Sequence, residues 1–326
     1  MLSTTGCGAK MRPDFAAHNR RNVMKKCLLA SIAAIAIAAP AAANNSTSTV
    51  NQSGNVNAAQ VDQTGANTGG DSLIDQSGDD NIANVKQADD GAGSAPINES
   101  TILQSGNSNE AYVDQDSETF PIFSNLSYVE QTGDDNYADV TQRDDGQWST
   151  IIQSSDDNRA VVSQGLAGSG DTTFWNSSYI EQMDSGSHDA YVEQTGALND
   201  SIIMQADYDH RAWILQGGDG NGSEAYQSGY QQELDVSQSG DNNYSYAEQS
   251  GVFQDAFVNQ SGDNNYSELL QSNFDNFADI TQSGNGNASG VYQTGLVNTA
   301  FVTQLSNNNL SVVAQSGNFN GATVAQ

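Results

Sequence analysis

Glutamine carries two N–H donors and one carbonyl acceptor on a single flexible side chain. One glutamine can therefore pass a hydrogen bond along a column of its own kind. Here it recurs on a fixed grid: Gln194, Gln205, Gln216, Gln227, Gln238, Gln249, Gln260, Gln271, Gln282, Gln293, Gln304, Gln315 and Gln326 stand eleven residues apart. Upstream the series continues with small irregularities through Gln182, Gln164, Gln153, Gln142, Gln131, Gln115, Gln104, Gln87, Gln76, Gln63 and Gln52, making 24 anchors. A second amide repeats six residues before the anchor, where 17 of 24 positions are Asn, among them Asn57, Asn81, Asn109, Asn136, Asn158, Asn276, Asn298 and Asn320. Buried amides are costly without partners. Stacking copies of the repeat supplies the partners, so these residues are read as an assembly ladder of the cross-β kind.

More conventional site chemistry is thin. His188 and His210 occupy the Asn slot of the repeat and read as substituted ladder residues. No nucleophile elbow, phosphate loop or metal-ligand cluster interrupts the pattern, and abundant acids are not a paired-carboxylate site. The chain is expected to have no catalytic residues, no metal residues and no cofactor. Three turns, Ser77-Gly78-Asp79-Asp80-Asn81, Thr132-Gly133-Asp134-Asp135-Asn136 and Ser155-Asp156-Asp157-Asn158, gather carboxylates that either hold Ca²⁺ through several oxygens or are solvated turn charges.

The anchors imply the elements that must hold them. Two residues before the anchor, 22 of 24 positions are Val, Ile or Leu; Ala225 and Ala247 are the exceptions. Four before, Ser and Ala alternate from one anchor to the next, with Leu234 the one departure. Fixed residues two apart belong to a strand, and the Gly-x-x-Asn step between them is turn chemistry. The true repeat is thus 22 residues, strand-arc-strand-arc, and twelve copies fit. The fold class is all-β: a β-solenoid of twelve stacked rungs in two parallel sheets, each rung burying its neighbour's face. At about 4.8 Å per rung, the stack is roughly 58 Å long. Extra residues after Gln63, Gln87, Gln115 and Gln164 fall between rungs, and the one within a rung precedes Gln194. Tyr112, Tyr128, Tyr179, Tyr191, Trp213, Tyr246, Phe257 and Phe301 share the outward position three before the anchor. They form a packing or adhesion patch, or they simply reflect β-propensity.

The N-terminus differs. Residues 1–23 read as a non-structural extension. Residues 24–43 have two lysines, a short apolar run and a small-residue end at Ala43, the pattern of a cleaved signal peptide. The run is too short to span a bilayer. The repeat region, 44–326, then has no cysteine, four basic residues and 39 acidic ones, a formal charge of −35. That charge disfavours nucleic acid and anionic lipid as partners and favours cations. It also makes stacking of copies repulsive, so assembly is expected to strengthen with salt or mild acid.

The units Gln52-Ser53-Gly54 through Gln63 and Gln282-Ser283-Gly284 through Gln293 resemble the curlin repeat of bacterial curli fibres, and the likeness runs from Val50 to Gln326. The resemblance implies a secreted structural subunit that assembles into amyloid fibres on the cell surface, giving biofilm matrix, adhesion and aggregation. It also implies a homopolymer, with a nucleator curlin and an outer-membrane export pore as further partners. No polar cap follows Gln326, which fits polymer growth. The alternative from the residues alone is a monomeric, acidic β-solenoid adhesin that binds Ca²⁺ or other cations.

Overall fold

Each half-repeat of alternating fixed and variable residues forms one strand, and the fixed residues turn inward together. In the computed structural model, which describes residues 37–38, 46–66, 69–89, 98–117, 123–165 and 175–326, the result is a β-solenoid of about twelve turns with no helix. Strands alternate between two parallel sheets. A twelve-stranded sheet runs from Thr47–Gln52 to Leu310–Asn318 and holds the half-repeats with Ser. A thirteen-stranded sheet ends at Gly321–Ala325 and holds those with Ala. They are called the serine sheet and the alanine sheet below.

Register follows the repeat. Gln153 pairs with Gln131 on one side and Gln182 on the other, and Ser149 lies between Ser127 and Ser178. The rungs therefore stack like on like, apart from a register shift between Asp62 and Gly65 in the first alanine-sheet pair. The core is correspondingly thin. Ile74, Ile102, Ile151, Ile180 and Ile203 of the serine sheet are fully buried, as are Ala83, Ala111, Ala138 and Ala160 of the alanine sheet. β-branched side chains suit this position because they are stiff and pack well on a pleated face. Where Ala225 and Ala247 replace the aliphatic, Leu234 replaces an alanine and is fully buried, which offsets the lost core volume.

The arcs explain the glycines. Gly229 has φ +114°, and a Cβ there would lie 2.1 Å from the carbonyl oxygen of Gly251 in the next rung. Only glycine tolerates both that torsion and that approach.

Two features depart from the regular repeat. Ile37–Ala38 pairs in parallel with Gln60 and Val61 and forms the thirteenth strand of the alanine sheet. The rest of the leader read as 1–43 lies outside the described residues, as do most of the insertions after Gln63, Gln87, Gln115 and Gln164. The insertion before Gln194 widens the arc Asp184–Ser187. A shallow cleft opens beside it, with Asp156, Asp157, Asp209 and Tyr208 among its walls.

Candidate functional site

The glutamine anchors form two continuous columns, one per sheet. In every link Nε2 donates to Oε1 of the glutamine in the next rung toward the C-terminus, over 2.7–3.1 Å. The columns run Gln52 to Gln315 and Gln63 to Gln326. The second N–H crosses the core to a backbone carbonyl of the opposite sheet, as from Gln153 to Tyr137 at 3.1 Å and from Gln227 to Arg211 at 2.9 Å. Each interior glutamine thus accepts once, donates twice and stitches the two sheets together. All 22 links point the same way, so the stack has a direction.

The asparagines work differently. Asn57, Asn81, Asn109 and Asn136 each accept, through Oδ1, the backbone N–H of the next Asn at 2.9–3.0 Å. Their partner is main chain and not a neighbouring amide. Asn158 does the same for His188 at 3.1 Å. Asn276 accepts from Asn298, and Asn298 accepts from both the backbone and the side chain of Asn320. Nδ2 donates onward to the glycine carbonyl of the following arc, as from Asn57 to Gly78 and Asn81 to Gly106, both 2.8 Å. An equivalent column stands in the other arcs, through Asn176, Asn199, Asn221, Asn243, Asn265 and Asn287. The repeat's own Asn count signalled this second column.

His188 and His210 stand in the first column in place of Asn, ahead of Gln232 and Gln254. Nδ1 of His188 accepts the N–H of His210, and Nδ1 of His210 accepts that of Gln232, each at 3.3 Å. Nε2–H donates to Met183 O at 3.2 Å and to Ala206 O at 2.7 Å, which sets the neutral tautomer. The rings stack with centroids 5.1 Å apart and 10° between planes. Burial lowers both pKa values, His210 to about 4, against the smaller opposing pull of the backbone hydrogen bond at each ring and of Asp207 and Asp209, with Asp184 acting on His188 as well.

The arc carboxylates are also ladder members. Oδ1 of Asp134 accepts Asn107 N–H (2.7 Å) and Oδ1 of Asp156 accepts Asp134 N–H (2.8 Å). In the opposite arcs Asp219, Asp241 and Asp263 accept from Ala197, Asp219 and Asp241 in the same manner. This role was not read from the sequence, although the acids recur at the residue after the arc glycine. Among the described residues no three His, Cys, Asp or Glu side chains gather as a metal centre.

The outward aromatics do not share one face. Tyr128, Tyr179 and Tyr246 lie on the serine sheet, while Tyr112, Tyr191, Trp213, Phe257 and Phe301 lie on the alanine sheet. The reason is parity: successive anchors belong to opposite sheets. Several of these tyrosines are anchored to an acid of their own strand, with Tyr128 to Glu130 at 2.6 Å and Tyr191 to Glu193 at 2.7 Å. Partial burial and that carboxylate push both phenols up to about 12. The four basic side chains of the repeat region share the outer alanine sheet and pair with acids of adjacent rungs: Lys86 and Arg143 with Asp114, Arg159 with Asp189, and Arg211 with Glu233. Arg211 also lies over the Trp213 ring, 3.7 Å from its centroid.

The curlin associated repeat family matches the chain four times, over residues 123–143, 133–165, 233–262 and 275–305. No curated protein matches it. The repeat and the β-solenoid are those of a structural protein.

Proposed function

We propose that this chain, a member of the curlin-repeat family, is a secreted subunit that polymerises with itself into amyloid fibres on the cell surface, where they serve as biofilm matrix and mediate adhesion and aggregation. The observation that carries this reading is the unidirectional glutamine column. Each rung donates to the next through the same bond, so a further copy extends the stack by repeating a contact already made 22 times within one chain. Growth is then head to tail, with β-sheet hydrogen bonds and amide ladder advancing together. The ladder residues Gln52 through Gln326, with the Asn columns, are its working parts. The leader, 1–23 and a signal peptide 24–43 cleaved after Ala43, serves export. A nucleator curlin and an outer-membrane export pore are its further partners in this reading.

The test is fibre diffraction with thioflavin staining on the repeat region, Asn44 to Gln326. Growing fibres with a meridional reflection at about 4.7–4.8 Å are expected. A soluble β-rich monomer at high concentration overturns the reading. If that monomer needs Ca²⁺ to fold, the acidic arcs make it a cation-binding adhesin.

A further inference from the structure

The arcs leading from the serine sheet to the alanine sheet change character midway along the stack. At the two exposed arc positions three early rungs carry Asp79-Asp80, Asp134-Asp135 and Asp156-Asp157, and two carry Asn55-Val56 and Asn107-Ser108. From the seventh rung onward the same edge carries Tyr208, Tyr230, Phe253, Phe274, Leu296 and Phe319, exposed by 52, 43, 41, 41, 40 and 76 %. The first four side chains are contiguous. Tyr208 and Tyr230 have centroids 6.3 Å apart, Tyr230 and Phe253 5.7 Å, and Phe253 and Phe274 5.7 Å.

Folding does not require this stripe. Phe253, Val297 and Phe319 sit in the left-handed region with φ 55°, 56° and 57°, where Asp80, Asp135 and Asp157 sit in the early rungs. For a bulky or β-branched residue that conformation costs about 1–2 kcal/mol. An Asn or Gly would relieve it. A line of exposed apolar side chains along one edge, two of them (Phe253 and Phe319) in a strained torsion, points to a surface used for contact.

We propose that this edge is where a second copy of the chain docks side by side, zipping head-to-tail polymers into bundles; the proposal rests on the polymer reading above. Charge selects the occupant. With a net charge of −30, two copies repel over most of their surfaces. Along the stripe the charges are Asp207 and Asp209 at its first rung and Asp275 further on, so over the rungs carrying Tyr230, Phe253, Leu296 and Phe319 two copies can approach closely. A cationic partner would favour the acidic arcs instead. A flat sugar chain would need coplanar rings, whereas Phe253 meets Tyr230 at 80° and Phe274 at 84°.

Area sets the regime. Taking roughly 200 Å² per full side chain, the six residues expose about 600 Å² per copy. A pair of chains would bury about 1,200 Å², the lower limit for a stable complex. Single chains therefore stay apart. In a polymer the stripe recurs with every subunit, and the contacts add through multivalency.

The experiment compares the purified full chain with a variant carrying Phe253→Asn, Phe274→Asn, Leu296→Asn and Phe319→Asn. Asn already occupies the left-handed torsion of Phe253 and Phe319 at Asn242, Asn264 and Asn308, and Asn318 occupies the strand-end position of Phe274 and Leu296. Thioflavin kinetics follow elongation, and electron microscopy counts filaments per bundle. The expected result is unchanged elongation and a bundled fraction at least about tenfold lower, the factor that about 1.4 kcal/mol would give. Variant fibres that bundle like the parent overturn the stripe and leave the polymer standing. Failure of both proteins to form fibres overturns the polymer reading and the bundling with it. Parent filaments that stay single, but bind cellulose or phosphatidylcholine vesicles through the stripe, overturn the second copy as occupant.

Discussion

The glutamine column makes a prediction that separates a ladder from a row of independent amides. Replace Gln205 with Leu. The N–H of Gln182 loses its acceptor and Oε1 of Gln227 loses its donor, both from bonds of 2.9 Å. All three glutamines are essentially buried. Two orphaned buried groups cost about 1–3 kcal/mol each, so roughly 4 kcal/mol is expected. Now replace Gln205 and Gln227 together. The orphans are again two, Gln182 at one end and Gln249 at the other, because the bond from Gln205 to Gln227 disappears with both its partners. Each replacement also removes one cross-sheet bond, to Asp189 O and to Arg211 O. Those carbonyls retain a second lone pair, and the added cost is about 1 kcal/mol per site. The double variant should therefore lose roughly 6 kcal/mol where addition of the singles predicts roughly 10. The coupling of about 4 kcal/mol lies slightly above the range usual for contacting residues. Urea unfolding of Q205L, Q227L and Q205L/Q227L, followed by circular dichroism under conditions that suppress fibre growth, measures it. Simple additivity would refute the chain of amide bonds.

Acid and salt probe the other charged parts. The folded pKa of His210 is about 4, against 6.5 unfolded, and that of His188 is also lowered. The unfolded chain then binds more protons, so stability falls as pH drops from about 6.5 toward 4, by about 3 kcal/mol for His210 alone. H188N/H210N, which restores the ordinary residue of the column, should flatten that slope; urea midpoints at pH 7 and pH 4.5 that move as in the parent would exclude the histidines as its source. Fibre growth should accelerate as the ionic strength rises from about 0.01 to about 0.1 M, where the screening length falls from about 30 to about 10 Å. A longer thioflavin lag at the higher salt would contradict repulsion between acidic copies.

Much of the architecture is legible in the residues because the repeat is strict. The eleven-residue glutamine, the aliphatic two before it and the Ser/Ala alternation define strands, inward faces and the two sheets. Other features needed coordinates. An amide can serve main chain or another amide, and spacing does not distinguish them: Gln bonds Gln, whereas Oδ1 of Asn81 takes the backbone N–H of Asn109 at 3.0 Å. The arc acids look like free charges until Asp156 is seen capping Asp134 N–H. The outward aromatics looked like one group because they share a repeat position, yet alternate anchors face opposite ways. The apolar edge was hidden for a related reason. Arc residues vary from copy to copy, and Tyr208, Tyr230 and Phe274 align only when read at the full rung spacing.

Acidity, ladder and edge together describe a chain whose stacking is held back by charge. Each rung offers the same polar bonds to the next, so nothing in the ladder itself limits growth or selects a position. Selection must come from what varies. On the edge leading from the serine sheet to the alanine sheet, paired carboxylates occur only in early arcs and aromatics gather in the late ones, so the stickiness has a place along the stack. Burial raises the pKa values of Asp139, Asp235 and Asp255, so these carboxylates tend to shed charge early as pH falls. Over the same range the stacked imidazoles begin to favour the protonated, opened chain. Mild acid thus acts in two opposed ways, easing contact between copies while loosening the rungs that hold His188 and His210. The balance places the best assembly pH above the value near 4 at which His210 titrates, and H188N/H210N should move that optimum to lower pH.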